Sequence, residues 1–487
     1  STTKRMGVMS LQPTIGIETH IELNTNTKMF CRCGVVDTED PNVSLCPTCL
    51  GLPGALPVPN KKAIESITLL ALSTGCEITR KGMFHRKNYF YPDLPKNYQI
   101  SQFDLPVGLN GELEIIIEES TDNIQIERVH MEEGTGISTH RGSGRSESAT
   151  STALDFNRSG VPLVEIVTKP VITSSKQAVA YIEELRQLAI DLNISEGRLE
   201  KGNLRFDANI SVAPEGSSEL GTKVEIKNMN SLRSLERAID YEIERQTKAV
   251  EDGVEIMQET RHWDENKELT STMRSKEGSA DYRYFSDPDL PNMYLSEDFI
   301  NQVKSTMPQL PKKQREELVD TGLSLKQANI LSKSDVWIKS LYFKVHKQTK
   351  DSEASFNWIT GELQGQMRKF SIEKLPEWFS YEYLSEIIEL IKNSKISFTS
   401  AKVILSELLN TDSTPNEVAE QKNLFQENDT DKISEMIVQI LEENQDVVDR
   451  IKTGEDKLVG FLVGLVMKQS NGSVNPGMAK ELLLKKI

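Results

Sequence analysis

Five residues, Glu18, His20, Glu132, Glu133 and Glu165, have the make-up of a hard-metal site. Carboxylate oxygens with one imidazole and no thiolate suit Mg2+ or Mn2+. Glu18 and His20 are two residues apart in an alternating stretch, so on a strand they point the same way and can share one ion. Glu165 interrupts the otherwise apolar run Val161–Val167. A buried charge without a partner is very costly, and a metal is one good partner. A hard cation beside Arg86, Lys87, Lys227 and Arg274 is what phosphoryl transfer from ATP requires. The bland alternative is that these charged faces meet solvent. It explains ordinary Lys/Glu alternation and fails for Glu165.

A second grouping is the stretch Arg86–Gln99, where Arg86, Lys87 and Lys96 stand among Tyr89, Phe90, Tyr91 and Tyr98 and two prolines. Prolines fix the backbone, aromatics make stiff walls, and the cations donate to anions. This fits a rigid loop gripping a charged, planar ligand. A Pro-rich surface loop is the other reading. A third grouping is Cys31 and Cys33, then Cys46 and Cys49 after twelve intervening residues. Two close pairs can place four thiolates on one tetrahedral Zn2+, against the alternative of unrelated buried thiols. Cys76 stands apart and reads as a core residue.

Strands must carry most of this chemistry. Thr14–Asn24 sets Ile15, Ile17, Ile21 and Leu23 against Glu18, His20 and Glu22. Gly202–Val212 sets Leu204, Phe206, Ala208 and Ile210 against Arg205, Asp207, Asn209 and Ser211. Thr222–Asn228 sets Val224 and Ile226 against Lys223, Glu225 and Lys227. Ile124–Glu133 is a further strand running into carboxylates. Ser174–Gln177 reads as a capping box ahead of a helix over Ala178–Leu192, and a second helix over Ser231–Asp252 ends at Gly253. Strands mixed with a few helices predict an α+β fold with antiparallel sheets. After Asp287–Pro291 the composition shifts. Pro308 and Pro311 flank the start of a helical region, and the pattern is helical almost throughout from Glu377. The expected division is a cradle over 1–295, a helical linker over 296–400 and a small helical tail over 401–487.

The 487 residues are 37 % hydrophobic, enough for several cores, and carry a net charge of −16. Charge alone would not hold nucleic acid, so any such contact is local and shaped. Residues 457–487 reverse the balance with five Lys and one Glu, as a binding tip or a solvated helix face. Few cysteines for this length fit a reducing compartment. No apolar run approaches a membrane span, Phe461–Met467 being the longest near the end. The start at Ser1 fits a processed organellar protein and equally a cloning artefact. Among nucleotide motifs, Gly216–Lys223 has Walker A glycine spacing with Thr and Lys in the wrong order, and Gly142-Ser143-Gly144 lacks the rest of a dinucleotide fingerprint. Ser174-Ser175-Lys176 has no Gly-rich amidase setting, and Cys76 has no glutaminase motif. Any ATP site has another architecture, and any ammonia comes from elsewhere.

Six blocks resemble the GatB family, the B subunits of tRNA-dependent amidotransferases. They are Ile15–His20, Cys46–Pro57, Arg86–Gln102, Asp155–Val167, Gly221–Ser231 and Arg274–Phe285, joined by Gly460–Pro476 near the end. The resemblance spans essentially the whole chain. It implies a glutamine-synthetase-like cradle that phosphorylates the glutamyl γ-carboxylate of misacylated Glu-tRNA(Gln) with ATP, then amidates it with ammonia. It implies as partners an amidase-type glutaminase A subunit, which explains the missing glutaminase nucleophile, and a small third subunit. By position it implies His20, Glu133 and Glu165 as Mg2+ ligands with Glu18 close by, and Lys87 in the catalytic set. Arg86, Tyr89, Tyr91, Lys227, Asn228, Arg274 and Arg283 would contact ATP, phosphate or substrate. Cys31, Cys33, Cys46 and Cys49 would hold a structural zinc found in some members only. The tail would bind tRNA, with Lys468, Lys480, Lys485 and Lys486 as its cations. Family members often follow His-x-Glu-Glu with Asp, where this chain has Gly134 after Glu133. Gly134, the polar stretch Ser138–Thr152 and an Asn/Lys/Ser-rich surface point to the mitochondrial matrix, with the bacterial cytoplasm as the alternative. A tRNA-presenting chain without chemistry is the competing function.

Overall fold

Alternation of Ile15, Ile17 and Ile21 with Glu18 and His20 produces a 12-residue strand, β1 (Leu11–Glu22), in the computed structural model of this chain. The structure describes residues 10–142, 149–275, 282–426, 430–470 and 474–487. The chain divides into two compact units, Ser1–Gln314 and Arg315–Ile487.

In the first unit the further strands are β2 (Glu77–Ile78), β3 (Lys81–Gly82), β4 (His85–Asn88), β5 (Tyr98–Ser101), β6 (Gly108–Ile117), β7 (Ser120–Glu133), β8 (Ile137–Gly142), β9 (Ala149–Asp155), β10 (Pro162–Thr168), β11 (Leu204–Pro214), β12 (Val224–Lys227), β13 (Glu259–Asp264), β14 (Leu269–Ser275), β15 (Phe285–Ser286) and β16 (Met293–Tyr294). Nine of them build one sheet in the order β14-β13-β12-β11-β1-β10-β7-β6-β2. Every neighbouring pair is antiparallel except β12 with β13. The expected α+β class with a mostly antiparallel sheet is what forms. Four helices accompany it: α1 (Lys61–Ser73), α2 (Ser175–Asp191), α3 (Leu232–Glu251) and α4 (Glu297–Ser305). Helix α1 lies against β6 and β7, α2 against β6 and α3, and α3 against β11 and β14.

The sheet has two chemically different faces, because successive side chains alternate. One face carries Ile15, Ile17, Ile21, Val164, Ile166, Ala208, Ile210, Val224 and Ile226, all fully buried, and forms the core with the helices. Cys76 is buried in the same cluster, as its apolar neighbourhood suggested. The other face carries the polar members of the same strands.

Local signals set the helix starts. Ser174 caps α2 by accepting from Gln177 N–H. The Gln177 side chain does not close a capping box. Its Oε1 accepts from the N–H of Thr173, one residue earlier, at 2.7 Å. Ser231 caps α3, and Gly253 follows its end in the left-handed region at φ 70°.

The second unit is helical. Leu325–Ser332, Val336–Thr349, Tyr381–Lys392, Phe398–Leu408 and Pro415–Gln421 pack around Tyr342, Leu363, Leu384 and Ile404. A separate cluster from Ile433 to Leu483 is built by Thr430–Glu443, Gln445–Lys452, Val459–Gln469 and Pro476–Lys486. Among the described residues no helix is long and apolar enough to cross a membrane.

Glu242 of α3 is fully buried and anchors the helix to the sheet's far edge. It accepts from Arg245 Nε at 3.0 Å, Gln246 Nε2 at 2.9 Å and Thr270 Oγ1 of β14 at 3.2 Å. Removing one side of such a buried charged network strands the rest. Glu242→Ala should therefore lose about 3–5 kcal/mol in urea unfolding, with Glu242→Gln losing clearly less. A loss below about 1 kcal/mol for the alanine variant would show that the network is solvated.

Candidate functional site

Strand register assembles the polar face row by row. His20 of β1 stands opposite Glu165 of β10, and Glu165 stands opposite His130 of β7. On the other side His20 pairs with Arg205, and Glu18 with Asp207. Asn209 of β11 faces Glu225 of β12, which faces Thr260 of β13. These rows floor a cavity of about 350 Å³ whose lining includes Glu18, His20, Lys87, His130, Glu165 and Lys227.

His20 Nε2 lies 3.2 Å from Glu132 Oε2 and 3.4 Å from Glu165 Oε2. His20, Glu132 and Glu165 each offer one ligand atom, and these atoms lie within 4.8 Å of one another. Burial opposes charge on His20, but hydrogen bonds to Glu132 and Glu165 outweigh it and raise its pKa to about 10. Burial also acts on Glu165, yet His130 and then His20 hold its carboxyl well below the usual range. The Glu18 carboxyl is pushed up by burial and by the Glu165 charge, although Asn209 Nδ2 donates to it at 2.8 Å. Two buried carboxylates and an imidazole are a donor set that fits a hard divalent cation, and Glu18, expected in the set, stands outside that converging group. The cation would relieve the same negative charge that now draws a proton to His20.

Glu133, the ligand implied by the resemblance, lies elsewhere. It points to the opposite side of β7 from Glu132, forms an ion pair with Lys96, and accepts from the N–H of Ile100 at 2.8 Å. Glu132 takes the place beside His20. Sequence carries the signal for this. The apolar positions of β7 run Ile124, Ile126, then Val129, Met131, so the alternation slips by one. The slip matches the register shift between Val167 and Thr168 of β10, which pair with Arg128 and Ile126. Beyond it Glu132 keeps company with His130, and Glu133 with Met131.

Lys87 reaches the cluster. Its Nζ is 3.1 Å from Glu132 Oε1 and 5.2 Å from the Tyr282 ring centre. Burial lowers its pKa, and Glu132 and Glu165 more than reverse that. Lys227 is held by Asp207 at 2.6 Å and Glu225 at 3.0 Å, so its charge is likewise retained. Arg86 does not line this cavity. It is bound by Asp287 at 2.9 Å and Asp289 at 2.8 Å, stacks 4.2 Å from the Tyr98 ring, and borders a second cavity of about 250 Å³ near Cys49 and Lys96. Tyr89 donates to Gln99 Oε1 at 2.7 Å, and Tyr91 is half-exposed. Asn228 sits in the left-handed region at φ 68° and donates to the Trp263 carbonyl at 3.3 Å. Arg283 is exposed, and its carbonyl accepts from Asn88 at 2.8 Å. Arg274 lies on β14, with its side chain outside the described residues. Phe103, Arg128, Tyr282 and Tyr284 also line the cavity. They come from segments whose partners are distant in sequence, and no local pattern singled them out.

The four cysteines meet. The Sγ atoms of Cys31, Cys33, Cys46 and Cys49 all lie within 4.8 Å of one another. Tetrahedral zinc with bonds of about 2.3 Å needs sulfurs about 3.8 Å apart, so the set fits. A hydrogen bond from Cys31 leads in lowering the Cys49 thiol, and Lys28 Nζ stands 3.9 Å from Cys49 Sγ. In the second unit Lys468 is exposed on Val459–Gln469. Lys480, Lys485 and Lys486 are exposed on Pro476–Lys486, Lys485 pairing with Glu481 at 2.6 Å.

The GatB/GatE catalytic domain family matches residues 13–301, and the family described as GatB domain matches residues 340–487. The chain belongs to the GatB family. Relatives cover it end to end. The B subunit of the aspartyl/glutamyl-tRNA(Asn/Gln) amidotransferase of Crocosphaera subtropica is 43 % identical over 475 residues, 96 % of each chain. That of Picosynechococcus sp. is 42 % identical over 483 residues, 97 % of each chain. The Brevibacillus brevis protein of the same name is 42 % identical over 470 residues, 96 % of this chain and 97 % of its own.

Within this family member the thiol cluster makes a metal prediction. Chain purified without chelators should carry about one zinc by elemental analysis, and Cys46→Ser should lose it together with thermal stability. Wild-type chain free of zinc after growth in zinc-replete medium would rule the centre out.

Proposed function

We propose that this chain is the carboxylate-activating component of a glutamyl-tRNA(Gln) amidotransferase. The observation that carries this reading is the meeting of His20 and Glu165, which line a charged cavity, with the buried Glu132, in a member of the GatB family. The names of the relatives, which include both tRNA(Asn) and tRNA(Gln), support the substrate class.

The chemistry starts from a poor electrophile. A carboxylate resists attack by ammonia until one oxygen becomes a leaving group. The γ-phosphoryl group of ATP is transferred to the glutamyl side-chain carboxylate. A P–O bond to ADP breaks, a new P–O bond forms, and an acyl phosphate results. Ammonia then adds to the acyl carbon, the C–O bond to phosphate breaks, and Gln-tRNA(Gln) and phosphate leave. His20, Glu132 and Glu165 would hold Mg2+, with Glu18 beside them. When bound, that ion supplies charge neutralisation of the phosphates. Lys87 and Lys227, both kept charged by neighbouring carboxylates, face the cavity and offset charge on the transferred group. Glu133 contributes through Lys96 rather than as a ligand. The four cysteines would hold a structural zinc.

Ammonia would come from an amidase-type glutaminase A subunit, with a small third subunit completing the assembly. We assign residues 1–295 to the cradle, 296–400 to a helical linker and 401–487 to a tRNA-binding tail, although Glu297–Ser305 packs in the first unit's core, Phe398–Leu408 and Pro415–Gln421 pack in the core around Tyr342, and the tail's own core begins at Ile433. Of the two compartments, the bacterial relatives support the cytoplasm over the mitochondrial matrix.

The assembled complex should hydrolyse ATP faster with Glu-tRNA(Gln) present and should form Gln-tRNA(Gln). Glu165→Gln should bind tRNA as wild type yet form no acyl phosphate, a loss of at least about 100-fold in turnover. Unimpaired turnover in that variant would sink the assignment, and tRNA binding without any stimulated hydrolysis by wild type would leave a presenting scaffold. The tail makes a separate prediction. Lys480→Glu combined with Lys486→Glu should weaken tRNA binding and flatten its salt dependence while ATP hydrolysis without tRNA is unchanged, as expected for phosphate contacts.

A further inference from the structure

Glu165 lies between two histidines. His20 of β1 and His130 of β7 are its direct neighbours in register. Both imidazoles turn Nε2 to the same oxygen, Glu165 Oε2, at 3.4 Å and 3.1 Å. Their surroundings then differ. His20 also reaches Glu132 and completes the three-residue donor group. His130 is 4 % exposed and stands outside that group. Its Nδ1 is enclosed with no hydrogen-bond partner among the described residues. At 3.1 Å only an N–H can face a carboxylate oxygen, so Nε2 carries the proton. Among the described residues, the polar contact of this ring is therefore with Glu165.

We propose that His130 is a positioning residue, whose Nε2–H holds Glu165 Oε2 toward His20 and so pre-forms the divalent-cation site. The inference rests on the cation reading of the cavity given above. A glutamate side chain has three rotatable bonds, and a carboxylate free to turn must be ordered by the incoming ion. Glu132 is already tethered, by Lys87 on one oxygen and His20 on the other. Glu165 has no lysine among its ion-pair partners in the described residues, and His130 is its nearest. A hydrogen-bond partner that orients a ligating carboxylate typically accounts for about 10–100-fold in metal affinity. The position on β7 suits the task. The strand is hydrogen-bonded on both sides, and Gln102 Oε1 accepts from the backbone N–H of Met131 next door at 3.1 Å. The ring is thus fixed by a rigid strand rather than by a loop.

The test is Mn2+ binding to the full chain, read by electron paramagnetic resonance, with nitrogen couplings from directly bound imidazole read by electron spin echo. Mn2+ is a hard ion and leaves the thiol cluster aside. His130→Leu, with His130→Met as a second apolar variant should the first not fold, should weaken Mn2+ binding about 10–100-fold. His130→Gln, whose Nε2 lies near the imidazole Nε2, should stay within about threefold of wild type. The nitrogen coupling of His20 should persist in all of them. Wild-type affinity in the apolar variants overturns the proposal. Equal loss in His130→Gln, or loss of a nitrogen coupling, overturns it in favour of His130 as a direct ligand. Failure of wild type itself to bind Mn2+ brings down the cation reading and this inference together. Binding that is lost in Glu165→Gln but untouched in His130→Leu removes the inference alone.

Discussion

The register of β1 between β10 and β11 is the constraint on which the site depends. It sets His20 against Glu165 and Glu18 against Asp207 in adjoining rows. A slip of one residue would turn Ile15, Ile17 and Ile21 into the cavity and bury Glu18 and His20 in the core. That exchange strands several charges in an apolar medium and exposes three fully buried isoleucines. Core and site are therefore two readings of one alternation. The hydrophobic face pins the register, and the register positions the chemistry.

Burial of so many carboxylates makes sense only through their pairings. Glu132 has Lys87 and His20, Glu133 has Lys96, and Glu165 has two histidines. The lysines come from β4 and from the loop between β4 and β5, so one hairpin supplies cations to both sides of β7. The Arg86–Gln99 stretch reads in sequence as a loop gripping a ligand. Part of it grips the protein instead. Arg86 is committed to Asp287 and Asp289, Lys96 to Glu133, and Tyr89 to Gln99. Only Lys87 of its cations turns to the first cavity.

Alternation made the strands legible. β1, β11 and β12 follow their apolar positions, and Glu165 announced itself by its apolar setting. The cysteine spacing was equally informative, because close pairs can converge with little help from the rest of the fold. Pairings across long separations were not legible. Nothing near Arg86 in sequence points to Asp287, 201 residues away. The choice between Glu132 and Glu133 fell between these cases. Adjacent residues on a strand differ only in face, and the face depends on a one-residue slip near Glu127. The apolar phase of β7 shows that slip, and beyond it a step of two from His130 reaches Glu132 rather than Glu133.

Gly134 ties the divergent position to backbone packing. A Cβ there would lie 3.0 Å from the Arg158 carbonyl oxygen, closer than side chains ordinarily approach backbone. The Gly134 N–H donates to the Val161 carbonyl, and the Gly160 N–H donates to Gly134. The turn before β10 thus closes directly on the end of β7. An aspartate at 134 would need that turn to move, and β10 carries Glu165 only a few residues on. Glycine at this position and the close approach of the turn are then a single structural choice. On the strand that this turn closes, Glu133 faces Lys96, and Glu132 converges with His20 and Glu165.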